Sequence, residues 1–513
     1  MNHGRIPLFR SLTKVLSQAR HLSRRQFFKL GSAVGAAYVL PGCSTPRTNA
    51  GARIDGPVAI VGGGIAGLTA AYRLMKAGVD VHLYEASSRA GGRMWTKRNF
   101  NNEGMFCELG GELVDSNHTA LIQLAKELGG GIQPLRRGEK GVDLYYINGE
   151  RYIDTDLVPA YANLAKRIAV DASGLWDEKG EATERAKQLD AISLRQYLSD
   201  AGTGTAPWLV KTLDIAFTCE YGLETDRQSA LNLIDLIGTD TREGFEMFGD
   251  SDEAHRVAGG NESLPEAVIR AIEGRVKIKL GHALSGIAMD GERLKLTFQS
   301  GRSQASQSYD HVICAIPFTV LRTVKGWENL PLTSAKKRVI RELTYGMNVK
   351  SMWGWNTRTW RESLLPGRDV FCNGAVVSDR GYQQVWETSR GQKGKAGILT
   401  NFMGGDTATN YVRSKSNEER FLAEIAETFP ALRGANDGNR AVLNWPKMKW
   451  NRGSYSATGV GQYTWMYDAA ASSSLGGALL FAGEHTSLES GGFMNGGVDS
   501  GERAAKELLG AKV

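Results

Sequence analysis

Apolar positions along the chain follow two rhythms. Val58-Ala59-Ile60-Val61 is a short, largely β-branched run suited to a buried strand, after which Leu68, Ala71, Leu74 and Met75 recur at helical spacing as far as Lys76. Between the two lies Gly62-Gly63-Gly64-Ile65-Ala66-Gly67, and a second strand is predicted over Val79-Asp80-Val81-His82-Leu83-Tyr84, ending at Glu85. The same grammar returns later in the chain. A helix opens after Ala258-Gly259-Gly260, and strands are predicted over 276–280 and 284–287. Alternation in Leu294, Leu296 and Phe298 marks a hairpin, and Asp310-His311-Val312-Ile313-Cys314-Ala315-Ile316-Pro317 reads as another strand. Near the end, Leu479-Leu480-Phe481 leads into a glycine-rich turn and a last helix. Strands alternating with helices point to an α/β fold, and no internal repeat is visible.

The first glycine cluster sits where a dinucleotide-binding unit needs it, between a strand and a helix. Gly62 allows the tight turn, Gly64 lets the backbone approach a pyrophosphate, and Gly67 lets helix and strand pack closely. The first helical residues, Ile65 and Ala66, would then face the phosphates with free N–H groups and the positive end of the helix dipole. Glu85 lies 85 − 62 = 23 residues past the first glycine, where a carboxylate can accept from both ribose hydroxyls and disfavours a 2′-phosphate.

Composition excludes disorder, collagen and disulfide scaffolds: 513 residues with 42% hydrophobic and 23% charged positions make two or three ordinary domains. The 62 glycines exceed the usual share and belong in tight turns. The net charge of +7 is a property of one segment. Residues 1–43 carry Arg5, Arg10, Lys14, Arg20, Arg24, Arg25 and Lys29 and no acid, so 7 − 7 leaves 0 for the remainder and no ground for nucleic-acid binding. The apolar run Leu30 to Leu40 is too short to span a bilayer and has the length of a signal-peptide core. Residues 44–56 read as a tether. Cys107, Cys219, Cys314 and Cys372 show no metal-ligand spacing and are expected as buried thiols.

Several stretches are similar to known patterns. Ser23-Arg24-Arg25-Gln26-Phe27-Phe28-Lys29 resembles the twin-arginine export signal, which implies the export machinery as a partner and a periplasmic location. Leu40-Pro41-Gly42-Cys43 resembles a lipobox, leaving lipidation of Cys43 and simple cleavage both open. Ala86 to Arg93, with Gly91, Gly92 and Arg93, resembles the second glycine patch of the flavin-containing amine oxidase family. Phe481-Ala482-Gly483-Glu484-His485-Thr486, followed by Gly491-Gly492-Phe493-Met494-Asn495-Gly496 and Ser500-Gly501-Glu502-Arg503, resembles that family's C-terminal signature.

The resemblance implies noncovalent FAD, because Ser454 stands where monoamine oxidases carry the attachment cysteine. It implies a discontinuous FAD-binding Rossmann-type (GR2-like) domain over 57–135, 255–335 and 445–510, and a mixed α+β substrate domain from 136–254 and 336–444. Arg93 would lie along the diphosphate, Leu284 would meet the adenine, Glu484 would take the ribityl chain, and Met494 would open the helix at the flavin. Gly110, Gly111 and Glu112 would line the cofactor. Lys350 would hold a water near flavin N5, Tyr455 and Phe493 would frame the amine, and His485 would be structural. The implied reaction passes hydride from the amine carbon to flavin N5, with O2 reduced to H2O2. The stretch Glu108 to His118 contains no arginine, which favours an amine without a carboxylate. Glu112, Glu220 and Glu224 are the candidate acids for a diamine's second ammonium. Three alternatives stay open: an L-amino acid oxidase, a dehydrogenase serving a periplasmic electron acceptor, and a non-enzymatic flavin-stabilised binding protein.

Overall fold

The computed structural model describes residues 54, 56–136, 141–242, 244–361, 364–414 and 416–510. The signal-like segment 1–43, Cys43 and almost all of the tether lie outside the described residues. Five short strands form a parallel sheet in the order Leu479–Phe481, Val312–Cys314, Val58–Val61, Val81–Tyr84, Lys277–Lys279. Alternate side chains feed two different cores. Val58, Ile60, Leu83, Ile313 and Leu480 meet helices Ile65–Lys76, Ser263–Ile272 and Met494–Leu508. Ala59, Val61, Tyr84, Cys314 and Phe481 meet the antiparallel strands Ala283–Asp290, Arg293–Ser300 and Ser303–Tyr309 and the helix Ser334–Glu342. A sheet covered on both faces has no solvent side, which is why its strands read as continuous apolar runs.

Helix Ile65–Lys76 is held tight against the strand before it. Gly62 has φ +109°, and a methyl group there would lie 2.6 Å from Ala315 O. At Gly67 it would lie 2.0 Å from Gly62 O. The C-terminal helix presses on the same helix from the other side, close enough that a methyl on Gly501 would meet Ala66 O at 2.3 Å. First and last helices of the described chain are thus neighbours.

The second unit is built on a seven-stranded mixed sheet, ordered Asn436–Asn444, Val349–Trp355, Gly397–Met403, Gln384–Glu387, Cys372–Ser378, Val142–Ile147, Glu150–Tyr152. Its strands come from two stretches of chain on either side of the 277–314 strands. Helices Asp154–Ala172, Leu194–Ala201 and Pro207–Tyr221 pack together on Leu157, Leu164, Leu198, Leu213 and Phe217. Val349–Trp355 lies between two antiparallel neighbours and is buried along its whole length.

Three details depart from the sequence expectation. The second strand starts at Val81, and the strand predicted over 276–280 is reduced to Lys277–Lys279. The hairpin gains a third strand, Ser303–Tyr309, whose side chains are mostly exposed and polar and therefore carry no apolar alternation. The four described cysteines are buried free thiols. No helix among the described residues is long and apolar enough to cross a membrane.

Lys336 is buried to 1% exposure, donating from Nζ to Ala470 O at 2.8 Å with Phe481's ring centroid 4.0 Å away. Burial, followed by the Arg503 charge, brings its ammonium down from 10.5 to about 7. The unfolded chain therefore binds more protons between about pH 7 and 10.5, so the penalty is full below pH 7 and fades as pH rises through that window. Lys336→Met is expected to stabilise the protein at pH 6.5 by about 2 kcal/mol, with the gain shrinking towards pH 10, as read from urea midpoints. Gly67→Ala is expected to lower the stability, read from the same urea midpoints, at all pH values by about 2 kcal/mol or more, because the new methyl meets backbone.

Candidate functional site

A cavity of about 650 Å³ runs between the two units. At one end the turn 62–64 delivers the chain into helix Ile65–Lys76, whose N-cap Gly64 supplies no side-chain cap. The first N–H groups of that helix are thus left for an anion. The second glycine patch lies directly beside this turn: Gly91 N donates to Gly63 O at 2.7 Å, and a methyl on Gly64 would have only Gly92 Cα near it, at 3.9 Å. Arg89 fixes the patch. Its guanidinium donates to Ala90 O, Gly92 O and Met94 O, pairs with Glu262 at 2.9 Å and lies over Trp95, 4.7 Å from the ring centroid. Glu85 accepts from Gly63 N at 2.7 Å through one oxygen, and from Ser87 N and Oγ at 2.8 Å through the other, while still lining the cavity. Leu284 lines the same end.

Farther along, Glu484 collects donors from three segments, one of them 391 residues away. It accepts from Arg93 Nη1 at 2.8 Å, Ser456 N at 3.1 Å, Ser456 Oγ at 2.7 Å and Gly492 N at 2.8 Å. Burial raises its carboxyl, but the Arg93 charge and the hydrogen bonds win and hold it below the ordinary range. Both oxygens are thus taken by protein donors, so Glu484 acts first as an anchor of the cavity wall; the expected role towards a ribityl chain would require sharing those lone pairs. Arg93 Nη1 also donates to Ser454 O at 2.8 Å. Helix Met494–Leu508 starts here behind Phe493, again with no side-chain cap. Met494 lies against Gly111, where a methyl would approach Met494 Cγ to 2.7 Å.

The remaining end is walled by Lys350, Trp386, Phe402, Asn348, Tyr455, Phe493, Glu220 and Glu253. Lys350 Nζ donates to Glu112 Oε2 at 2.7 Å and Gly110 O at 3.0 Å. Tyr455 donates its hydroxyl to Glu220 O and packs on Gly492, while Phe493's ring lies 5.0 Å from that of His118. Glu253 has φ 47° and a side chain 37% exposed, facing the cavity. Enclosure by the surrounding protein raises its carboxyl; Arg136, 3.7 Å away, opposes this, while Glu220 and Asp115 add to it.

The cavity wall contains Gly62, Gly64, Ile65, Ala66, Glu85, Gly91, Gly92, Arg93, Gly110, Gly111, Glu112, Leu284, Lys350, Tyr455, Glu484, Phe493 and Met494. Gly67 lies behind it, at the helix–strand contact. Two of the three candidate acids need correction. Glu112 is paired with Lys350 and so is not a free carboxylate for a second ammonium. Glu224 lies outside the cavity wall, accepting from Asp406 N at 2.8 Å near Arg195. His485 is 1% exposed, neither ring nitrogen has a hydrogen-bond partner among the described residues, and burial drops its pKa to about 3, so it is a neutral packing group against Phe318. Arg89, Trp386 and Glu253 were missed. Glu253 sits in Asp250-Ser251-Asp252-Glu253, which reads as a solvated acidic loop, and Trp386 has no motif around it. For Arg89 the signal was present, an arginine two residues before a Gly-Gly pair.

Two uncapped helix starts and two glycine turns along one elongated cavity fit a flavin dinucleotide, whose pyrophosphate needs close backbone and whose ring needs a dry, mostly apolar chamber. Comparisons with known proteins agree. Residues 65–509 match the model of the flavin containing amine oxidoreductase family. The chain is 25% identical over 481 residues to the flavin-containing amine oxidase A of Sus scrofa, covering 90% of this chain and 86% of that protein. It is 25% identical over 487 residues to the flavin-dependent L-tryptophan oxidase of Lentzea aerocolonigenes, covering 88% and 97%. The cyclohexylamine oxidase structure from Brevibacterium oxydans superposes with TM-score 0.73 at 21% identity, covering 88% of this chain and 98% of that one. The chain belongs to the flavin-containing amine oxidoreductase family and is an FAD-dependent amine oxidase.

Proposed function

We propose that the enzyme oxidises a primary or secondary amine that carries no carboxylate on the reacting carbon, giving an imine that water hydrolyses. Bound FAD supplies the two-electron acceptance, as hydride, and the return of those electrons to O2 as H2O2. The chain's own contribution is placement and dryness. Tyr455 and Phe493 present aromatic faces that orient the amine, and Trp386 and Phe402 exclude water from it. Lys350 offers an N–H at the cavity wall to hold a water close to the reacting atoms. The observation that carries the reading is the single cavity joining the glycine turns of the dinucleotide end to the chamber of Lys350, Tyr455 and Phe493.

Charge supports an amine over an amino acid. The arginines in the wall, Arg89 and Arg93, are committed to Glu262 and Glu484. The chamber beside Tyr455 instead presents Glu220, whose carboxylate favours a cation, and Glu253, whose raised carboxyl offers a neutral acceptor to an ammonium N–H. The L-tryptophan oxidase among the relatives keeps an amino acid as the second reading. Ser454, buried beside Arg93 and Asn348, supports noncovalent FAD, and the Arg24-Arg25 segment supports export by the twin-arginine route to the periplasm.

Three outcomes are expected. Mixed anaerobically with monoamines, diamines and L-amino acids, the holoenzyme loses flavin absorbance with amines and much more slowly with L-amino acids; bleaching by L-amino acids alone would select the second reading, and none by any amine would defeat the proposal. Lys350→Met retains FAD but slows flavin reduction or reoxidation in stopped flow by about tenfold or more; unchanged rates would remove Lys350 from the chemistry. Acid precipitation leaves the yellow colour in the supernatant, and colour retained in the pellet would mean a covalent link.

A further inference from the structure

Lys350 and Glu112 are each 4% exposed at the side chain, and their 2.7 Å contact joins the substrate unit to the dinucleotide unit. Glu112 is not a passive neighbour, because everything around it fixes its carboxylate. Its other oxygen, Oε1, accepts from Thr388 Oγ1 at 2.7 Å, and Thr388 in turn meets Thr400 Oγ1 at 2.5 Å, on the strand next to that of Lys350. Its main chain is clamped as well: Asn261 Nδ2 donates to both Gly111 O and Glu112 O at 2.8 Å. Two of the three ammonium protons of Lys350 are taken by Gly110 O and Glu112, leaving one for the cavity.

We propose that Glu112 is a positioning residue for Lys350: it fixes the direction of the free N–H and, by supplying one negative charge in contact, makes the reactive end of the cavity face a neutral pair instead of a lone buried cation. The inference rests on the reading that places the FAD ring beside Lys350. The physical ground is that a buried charge whose partner is removed keeps its full field in a medium that screens weakly. Removing the Glu112 charge therefore leaves a cation that stabilises any negative charge formed on the flavin, whereas removing Lys350 does the reverse.

Sulfite reads that field without turnover. It adds its sulfur lone pair to oxidised flavin, bleaching the absorbance and placing negative charge on the ring. Titration of the holoenzymes at fixed pH is expected to show Glu112→Gln binding sulfite about tenfold more tightly than wild type and Lys350→Met more weakly. The double variant, which carries neither charge, should fall between the two single variants and close to wild type, and Glu112→Asp, which keeps the charge, should also return towards wild type. A purely structural Glu112 would lower the melting temperature of Glu112→Gln and leave its sulfite affinity unchanged. If Lys350→Met shifts the affinity and Glu112→Gln does not, the proposal falls while the reading of the site stands. If neither shifts it, the placement of the flavin beside Lys350 falls too. Should Glu112→Gln not retain flavin, Thr388→Val is titrated instead, since it loosens the carboxylate but keeps its charge; a change of about twofold or more supports the proposal and none overturns it.

Discussion

The buried carboxylate of Glu484 is the constraint on which the cavity depends. A carboxylate cannot remain ionised inside a protein unless donors converge on it, and here they come from Arg93, Ser456 and Gly492. Each of those residues begins or braces a different wall: the second glycine patch, the Tyr455 segment and the turn before the last helix. The sequence separation between Arg93 and Glu484, 391 residues, means that this one contact brings the early and late parts of the chain into register. Packing alone would tolerate small slips between these walls, but a charge that needs four hydrogen bonds does not.

The surrounding electrostatics are arranged in compensated pairs. Two helix N-termini aim at the cavity, and the cations in its wall include Arg89 with Glu262, Arg93 with Glu484 and Lys350 with Glu112. The cavity therefore offers directed N–H groups and oriented dipoles towards a dinucleotide while its paired side chains add little net charge of their own. Near Tyr455 the balance tips the other way through Glu220, while Glu253, its carboxyl raised, adds an acceptor more than a charge.

How much of this was legible depended on whether the signal was local. Gly62, Gly64 and Gly67 are dictated by a turn, an approach and a packing contact within one supersecondary unit, so their spacing alone predicts their surroundings. Lys350 could be singled out because a lysine among apolar strand residues needs a reason. Its partner could not: Glu112 is 238 residues away, and read by itself it was a cofactor contact or a diamine acid. Glu253 was hidden for the opposite reason, since its neighbours are acidic and polar and only the tertiary fold turns it inward. Strand Ser303–Tyr309 follows the same logic, because its pairing is specified by the Arg293–Ser300 strand beside it and not by its own polar, solvent-facing side chains.

The parallel sheet has a consequence for the time course of synthesis. Its central strand, Val58–Val61, is among the first described residues to be made, whereas its edge strand Leu479–Phe481 and the covering helix Met494–Leu508 are among the last. Until those residues emerge, the edge at Val312–Cys314 and part of the face of helix Ile65–Lys76 have nothing to cover them. A growing chain of this topology cannot finish its nucleotide-binding half as an independent unit, and most of its closing contacts are long-range, which makes folding slow and leaves the unfinished sheet exposed to aggregation. Completion thus waits for the last described helix, and a truncation that removed Met494–Leu508 would take away part of the first described unit to be started.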